Sequence, residues 1–546
     1  MLDPPAAKGP ARSRSPIPRP RRVTLTSFRA LVLLAVALVS FLAFRSSHSP
    51  PPAPTVPRNL QLIQRRVVQP LRRGRALKIG LVGGSISASG ESFGWKVVEW
   101  LNRNWPPTAK DREHELLQGA ISASESGLAS ICLNTLFHHL PTAVEPPIDL
   151  LLVEFAYNDG GLAAAQPNEE GAETLAINRQ ANFERLFRTA MEWPVPVIVV
   201  EVSSYHGDIR LPGPGNNFFN SVGLDHAEVA AHYGVPVVDV SQLFHSWPDV
   251  DDLPSLFTDR GIHPNARGHN LIASLVIREL LFHISLSSPD EPLWGPSFPE
   301  YWSGPSWPVY GPSPAHGFPP VEWPPIPLEG PLPPLPAPRW QLGAGASSAS
   351  WECVSSQIKH TTPRLQSSVI SSATRGFTFR VDDSDGGIVS VSRPGYTTNE
   401  TNAHVVFALG RHRTGPMALL YRRSWQPASG DALVWIDHDP AGVDLLPSPP
   451  SSFSSSDTPS AGGGAALSWP SSRASAPRCP PTPLRLRGHW TAKSTQMVLE
   501  EICAGEDAWS APPDGGRVSF LHVVSVPGEG GEEARYFKTY GYAFSS

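Results

Sequence analysis

Two scarcities limit what this chain can be: it has little cysteine and no surplus of basic residues. Four of its 546 residues are cysteine, namely Cys132, Cys353, Cys479 and Cys503. Four cysteines are too few for a small disulfide scaffold, and their pairing cannot be read from sequence. Lysine and arginine total 44 against 49 acidic residues, which gives a net charge of −5. We therefore expect no nucleic-acid partner.

The sequence also lacks the short motifs that hold metals or phosphates. Its 18 histidines include no His-Glu-x-x-His motif, and the four cysteines lack a paired metal-ligand spacing. The Gly-Gly-Ser stretch at 83–85 is not followed by the Gly-Lys-Ser/Thr of a phosphate-binding loop. We therefore expect neither a metal nor a cofactor.

Proline, by contrast, is abundant, and its clusters divide the chain. There are 61 prolines, roughly twice the usual frequency. At roughly 100–200 residues per domain, the length allows two or three domains. We predict a cytosolic tail (1–22), a signal-anchor transmembrane helix (23–44), a stem (45–76), an α/β domain (77–285), a Pro-rich linker (286–346) and a β-sandwich domain (347–546) with a disordered insertion (446–478).

The N-terminus contains an apolar run that follows a cluster of arginines. Residues 30–44 contain no charge and one polar residue, Ser40. With Val23, Leu25 and Phe28 the run approaches the ~20 residues needed to cross a bilayer. A cleaved signal peptide and an uncleaved anchor both fit, and we favour the anchor because no small-x-small cleavage site follows. The preceding arginines indicate a cytosolic N-terminus.

This layout predicts a single-pass type II membrane protein whose catalytic part lies in the lumen. The Golgi is the favoured compartment, with the endoplasmic reticulum and the cell surface as alternatives. A luminal body permits disulfides, and the sequon Asn399-Glu400-Thr401 can then carry a glycan.

Residues 77–285 have the pattern of a parallel α/β domain. Short β-branched runs bounded by turns are typical of strands buried on both faces, and runs of helical periodicity lie between them. Strand–helix alternation implies right-handed crossovers and a three-layer sandwich. The predicted strands are 77–82, 149–156, 195–202 and 235–240, and the predicted helices are 92–104, 172–191 and 268–283.

From residue 347 the pattern changes to short runs rich in β-branched and aromatic residues, typical of a β-sandwich. The positions of Cys353 and Cys503 suggest a disulfide between strands of that domain. Trp351, Trp425 and Trp435 are candidate stacking platforms for sugars, although tryptophan in a sandwich more often belongs to the core.

Three segments carry the candidate chemistry. Ser85 follows the first apolar run and two glycines, at the strand end where ligands bind in such sheets. Asn158 ends another buried run, where its side-chain amide can donate to a developing oxyanion. His263 precedes a late helix and is a candidate general base for the serine. Taken singly, each also fits an ordinary turn, but all three follow strands or open helices and so converge on one sheet edge.

Together these segments resemble the SGNH (GDSL-type) hydrolase family, through GGSI at 83–86, QGA at 118–120, ND at 158–159 and HP at 263–264. The chain also resembles algal and fungal membrane-anchored SGNH proteins with a C-terminal β-domain. The resemblance implies that Ser85 is the nucleophile and His263 the base. It also implies an oxyanion hole formed by the Ser85 and Gly119 backbone N–H groups and the Asn158 amide.

Three positions depart from the family pattern. Gly84 stands where aspartate is usual, and Gln118 where asparagine is usual. The family's acid lies three residues before the histidine, but position 260 is arginine and Asp259 lies four before. Asp259 completes the triad only if the chain bulges by one residue. Otherwise the reaction uses a Ser–His dyad, or another hydrogen-bond acceptor orients the histidine.

We therefore expect a serine esterase that hydrolyses an O-acetyl group on carbohydrate in the secretory pathway. A polysaccharide O-acetyltransferase using the same Ser–His site is one alternative. A non-catalytic glycan-binding protein is another, and a structural wall protein is a third.

Overall fold

A computed structural model describes the part of the chain that is discussed below. It comprises residues 56–109, 112–138, 145–160, 172–202, 222–240, 254–258, 263–286, 331–338, 351–380, 394–410, 417–424, 429–437, 484–486, 495–503, 519–526 and 537–545. The predicted tail and anchor, the insertion 446–478, Asp259 and Trp425 lie outside these residues. Within them, no helix is both long enough and apolar enough to cross a membrane.

The predicted apolar runs form neighbouring strands of one parallel sheet, which confirms the α/β fold class. The strand order is β2-β1-β3-β4-β5, so the chain changes direction between β1 and β3, the place where open sheets of this kind bind ligands. Strand β2 is a short edge strand that the sequence pattern did not predict. The strands are β1 (Lys78–Gly83), β2 (Glu115–Gln118), β3 (Leu150–Glu154), β4 (Val197–Glu201) and β5 (Val237–Asp239).

Helices cover both faces of this sheet, because alternate residues of each buried strand point to opposite faces. Leu150 and Leu152 of β3 belong to one core cluster with helices α4 and α9, whereas Leu151 and Val153 belong to another with α5, α7 and α8. The helices are α3 (Ser85–Ala88), α4 (Phe93–Asn104), α5 (Ser126–Leu136), α6 (Ala156–Gly160), α7 (Ala172–Glu192), α8 (Val222–Tyr233) and α9 (Ala266–Ser285).

The end of the predicted stem is part of this domain. Helix α1 (Arg58–Ile63), a π-helical segment (Gln64–Val68) and α2 (Gln69–Arg72) run in succession. Their apolar side chains pack into the same core as β1. The Asn59 side chain exchanges two hydrogen bonds of 3.0 and 2.8 Å with the backbone of Val197 at the start of β4. The folded domain therefore begins well before residue 77.

Within the predicted linker, residues 331–338 lie against the α/β domain. Proline has no N–H, so this Pro-rich segment offers mainly carbonyl acceptors. Arg58 donates to Pro333 O over 2.7 Å, and Arg188 donates to Pro336 O over 2.8 Å. Leu332 and Leu335 pack against the core on the α7/α8 side. We call residues 331–338 the docked segment.

The C-terminal region is β-rich, as predicted, and consists of two antiparallel sheets that share one apolar core. One has the order β13-β10-β15-β8-β7 with β6 paired to β15, and the other has the order β12-β11-β14-β9. The 3₁₀ turn Lys359–Thr361 and helix α10 (Thr362–Ser368) follow β6. The strands are β6 (Trp351–Ser355), β7 (Thr378–Arg380), β8 (Gly395–Thr398), β9 (His404–Gly410), β10 (Met417–Ser424), β11 (Asp431–Asp437), β12 (Leu484–Leu486), β13 (Thr495–Cys503), β14 (Ser519–Val526) and β15 (Phe537–Ser545).

A disulfide joins the two domains. Cys132 of α5 is bonded to Cys353 of β6, so the suggested pairing of Cys353 with Cys503 is wrong. The physical reason is that Cys353 belongs to an apolar cluster between β6 and α5, in which Trp351 is also buried. Trp351 is therefore a core residue and not a sugar platform. Beside the disulfide, Cys353 N donates to Thr135 Oγ1 over 3.0 Å.

Candidate active site

The turn between β1 and α3 presents Ser85 at the carboxyl edge of the sheet. Ser85 is the first residue of α3, and Gly84 before it has an extended backbone (φ −84°, ψ −151°). A Cβ on Gly84 would lie 1.8 Å from Asn158 Oδ1, and one on Gly83 would lie 2.5 Å from Glu154 O. A side chain at position 84 would therefore displace the Asn158 amide, and one at position 83 would collide with the backbone of β3.

His263 lies next to the serine. Its Nε2 is 2.8 Å from Ser85 Oγ, a hydrogen-bond distance. The backbone at His263 is held against residues 256–258, since Thr258 N donates to His263 O over 2.7 Å and Asn265 N donates to Leu256 O over 2.9 Å. Asn265 also caps α9 by accepting a 3.1 Å hydrogen bond from Gly268 N. A serine and a histidine that are 178 residues apart in sequence are thereby brought together.

A second histidine lies near this pair but is buried within α9. Burial, and then electrostatic repulsion from the neighbouring His263 and Lys96, lower the pKa of His269 to about 4. His269 is therefore neutral at physiological pH and adds no positive charge beside the serine.

Asn158 lies at the same edge, in α6, immediately after β3. It is 6 % exposed, and its side chain occupies the space over Gly84 that a Cβ would fill. The structure therefore brings Ser85, His263 and Asn158, three of the residues singled out from sequence, to one edge of the sheet.

Gly119 lies at the carboxyl end of β2, one strand away. Its N–H donates to Leu81 O over 2.8 Å and so continues the β1–β2 pairing; in this arrangement it is directed into the sheet and not toward Ser85. The turn that follows approaches the site more closely. Ile121 N donates to Gly83 O over 3.0 Å, and Ala123 has a left-handed backbone (φ +59°). We call residues 119–125 the oxyanion-side turn.

Three acids at the ends of strands were not singled out from the sequence. Strands β3, β4 and β5 end at Glu154, Glu201 and Asp239; Glu154 (0 % exposed) and Glu201 are buried, and Asp239 is half-buried. Burial raises the pKa of Glu154 to about 8, against the opposing effect of a hydrogen bond from Ser87. The Ser87 Oγ to Glu154 Oε2 distance is 3.0 Å. The signal was present in the sequence, because an acid ending three successive apolar runs is unusual for buried strands.

Among the described residues, no group of three or more His, Cys, Asp or Glu side chains is arranged to hold a metal ion. The chemistry available at this edge is that of a serine hydroxyl, an imidazole at hydrogen-bond distance and a buried amide.

Residues 81–271 match the family model described as the GDSL-like lipase/acylhydrolase family. The match spans Ser85, Asn158 and His263 and ends within α9. This part of the chain belongs to that family. The chain accordingly carries an SGNH-type hydrolase domain that acts on ester bonds, and the recognition made from the short sequence blocks is confirmed.

Several solved structures are similar to this hydrolase. A two-domain esterase (CEX) described as active on acetylated mannans covers 88 % of this chain and 95 % of its own, at 15 % identity and a TM-score of 0.47. The same esterase co-crystallised with mannopentaose covers 89 % and 95 %, also at 15 % identity and 0.47. A single-substitution variant of the acetyl xylan esterase Axe2 from Geobacillus stearothermophilus covers 37 % of this chain and 94 % of its own, at 16 % identity and 0.29. No curated protein sequence matches the chain.

Proposed function

We propose that this hydrolase is a serine esterase that removes O-acetyl groups from carbohydrate, with Ser85 as nucleophile and His263 as general base. The observation that carries the proposal is the 2.8 Å separation of Ser85 Oγ and His263 Nε2, since a nucleophile within hydrogen-bond reach of its base is the signature of this chemistry.

In the proposed reaction, His263 Nε2 accepts the hydroxyl proton as Ser85 Oγ attacks the ester carbonyl. The oxyanion receives hydrogen bonds from the Asn158 amide and from the Ser85 backbone N–H, which has no intrahelical acceptor because Ser85 begins a helix. His263 then protonates the departing sugar oxygen. Water, activated by the same imidazole, cleaves the acetyl-enzyme to acetate. Gly119 joins these donors only if its N–H leaves Leu81 O. Asp259 is the proposed orienting acid, and it lies outside the described residues.

A carbohydrate substrate is supported by the β-rich domain attached to the hydrolase. On that domain Trp435 is half-buried and stacks on His522, with ring centroids 4.9 Å apart and planes inclined by 7°. Flat aromatic faces that keep some exposure are suited to contact with sugar rings. The exposed part of Trp435 has no role in the ester chemistry, so it supports the proposed class of substrate and not the proposed reaction.

We further propose that the protein acts in the secretory pathway, as a type II membrane protein of the Golgi held by residues 23–44. The Cys132–Cys353 disulfide supports an oxidising compartment. Asn399 of the sequon is exposed, just after β8, so it is open to glycosylation. Loss of a glycosidase-sensitive mass in an Asn399→Gln variant would support the luminal placement. An endoglycosidase that leaves the wild-type mass unchanged would count against it.

The test of function is acetate release by the full chain, kept in mild detergent, from nitrophenyl acetate and from acetylated xylan or mannan. Ser85→Ala is the matched variant. Turnover that disappears in Ser85→Ala supports the esterase, and faster turnover on the polysaccharide supports the substrate class. Acetyl transfer to an added sugar, without free acetate, would indicate the transferase instead. Equal background rates in two folded proteins would reject a serine esterase.

A further inference from the structure

A buried histidine links the carboxyl ends of the strands to the oxyanion-side turn. His226 of α8 is 0 % exposed. Its Nδ1 lies 2.9 Å from Glu201 Oε1, and its Nε2 lies 3.0 Å from Asp159 Oδ2. The ring also stacks on Phe183, with centroids 3.6 Å apart and planes inclined by 5°. Three contacts on a ring with no solvent exposure leave it little freedom to rotate.

The two carboxylates keep this imidazole protonated. Burial alone would lower the pKa of His226, but Glu201 and Asp159 together raise it to about 9. Burial also raises the pKa of Glu201. With the proton on the imidazole, His226 donates a hydrogen bond from each ring nitrogen, to Glu201 and to Asp159. Such charge-assisted bonds are shorter and stronger than neutral ones, so they hold both carboxylates in place.

Asp159 passes this constraint on to the oxyanion site. Its other oxygen, Oδ1, accepts a 2.7 Å hydrogen bond from Ser126 N. Ser126 is the first residue of α5 and directly follows the oxyanion-side turn. Asp159 also directly follows Asn158 in the chain. The Asp159 carboxylate is thus bound through one oxygen to His226 and through the other to the backbone N–H of Ser126, just after the oxyanion-side turn. Because Asp159 is the next residue after Asn158, holding its side chain also restricts the backbone at Asn158.

We propose that His226 is a positioning residue for the oxyanion site, fixing Asn158 and the oxyanion-side turn through Asp159. His226 touches neither Ser85 nor His263 through any contact described above, so it acts through Asp159 and not on substrate. The inference rests on the proposed roles of Ser85 and Asn158. If the buried ion pair had a purely structural role, its loss would lower the stability of the protein and leave both kcat and KM unchanged.

Removing one oxyanion donor lowers kcat by about 10²–10³-fold in serine hydrolases. A displaced donor should lose part of that effect. For His226→Gln, which retains a side-chain amide but no charge, we expect kcat to fall about 10–100-fold with KM within about twofold. Binding of a phenylboronic acid, whose tetrahedral serine adduct places an oxygen in the oxyanion site, should weaken by a similar factor.

His283→Gln is the matched control. His283 is also a buried histidine with a carboxylate neighbour, 3.1 Å from Glu279 Oε1, but it lies in the last turn of α9. Its loss should leave kcat, KM and boronate affinity within about twofold of wild type, because it has no contact with Asp159.

A backbone variant tests the same link without touching the histidine. Ser126→Pro removes the N–H that Asp159 accepts, and its ring forces the carboxylate to move. Proline is tolerated in the first position of a helix, and Glu125 already has the extended backbone that a following proline requires (φ −94°, ψ 166°). Ser126→Ala keeps the N–H and is its reference. We expect Ser126→Pro to have a kcat at least tenfold below that of Ser126→Ala.

The experiment measures kcat and KM for nitrophenyl acetate, boronate affinity and thermal unfolding for the full chain and these variants, beside Ser85→Ala. Lower kcat and weaker boronate binding in His226→Gln and Ser126→Pro, with KM unchanged, support the inference. A Ser85-dependent rate that both variants retain within threefold overturns it. If His226→Gln fails to fold, Ser126→Pro decides the outcome. A wild-type rate no faster than that of Ser85→Ala overturns the proposed function and this inference with it.

Discussion

The interdomain disulfide should contribute strongly to stability. Replacing Cys132 and Cys353 together by alanine removes a bond that closes 221 residues of chain. In the chain-entropy description, a closed loop of that length stabilises the folded state by about 5 kcal/mol. Alanine is the appropriate replacement because both cysteines are 1 % exposed, and a serine hydroxyl buried there would add a desolvation penalty.

Guanidinium chloride unfolding of the full chain, followed by tryptophan fluorescence, measures the effect. We expect the midpoint of the first unfolding transition of the double variant to fall by on the order of 1 M guanidinium chloride. This transition should then separate from that of the other domain. Reduction of the wild type should reproduce the result, and Cys503→Ala should not. A shift below about 0.2 M would refute the reasoning, because apolar packing between α5 and β6 would then hold the domains alone. Peptide mapping that joined Cys353 to Cys503 would contradict the pairing itself.

Three further predictions concern single side chains. Glu154 keeps its proton to about pH 8 when folded, against 4.5 in the unfolded chain, so the free energy of unfolding should fall as pH rises through this window. Glu154→Gln cannot ionise, so the difference between its free energy of unfolding and that of wild type should grow in favour of the variant by up to about 4 kcal/mol between pH 5 and 9, measured by urea unfolding. Gly84→Ala places a methyl group where Asn158 now lies and should lower kcat for nitrophenyl acetate about 10–100-fold with the melting temperature little changed. Arg58→Ala removes the hydrogen bond to Pro333 O and should make the docked segment the first site of proteolysis, with about 1 kcal/mol lost from unfolding.

Each of these has an outcome that would count against it. Parallel pH profiles for wild type and Glu154→Gln would mean that the carboxyl is ionised throughout. Full activity in Gly84→Ala would mean that Asn158 can move without consequence. An unchanged digestion pattern in Arg58→Ala, beside the exposed-residue control Arg103→Ala, would mean that apolar contacts alone hold the docked segment.

The sequence was informative wherever hydrophobic periodicity and local turns determine structure. The four predicted strands correspond to β1, β3, β4 and β5, because β-branched apolar runs of that length are stable only when buried on both faces. Ser85, Asn158 and His263 were found because each directly follows a strand or precedes a helix, and parallel topology brings such positions to one edge.

What could not be predicted depends on contacts between distant segments. Residues 58–72 were assigned to the stem, but their apolar side chains Ile63, Val67 and Leu71 recur at helical spacing and pack into the core with β1 and α9; the surface that they cover lies far away in the sequence. The partner of Cys353 was misassigned because a strand in a β-rich domain suggests pairing within that domain, whereas β6 faces α5. His226 showed no distinguishing signal among 18 histidines, since its environment is created by acids that lie 25 and 67 residues away.

The docked segment also limits the distance that can separate the second domain from the α/β domain before the two associate. Between α9 and β6 the connection comprises residues 286–350, but contact with Arg58 and Arg188 leaves only residues 339–350 between the docked segment and β6. Twelve residues reach at most about 40 Å, against about 200 Å for the whole connection. Shortening the effective connection in this way lowers the entropic free-energy cost of joining the domains by about 1.5 kcal/mol. It also raises the local concentration of Cys353 near Cys132, so docking of the segment should speed formation of the correct disulfide.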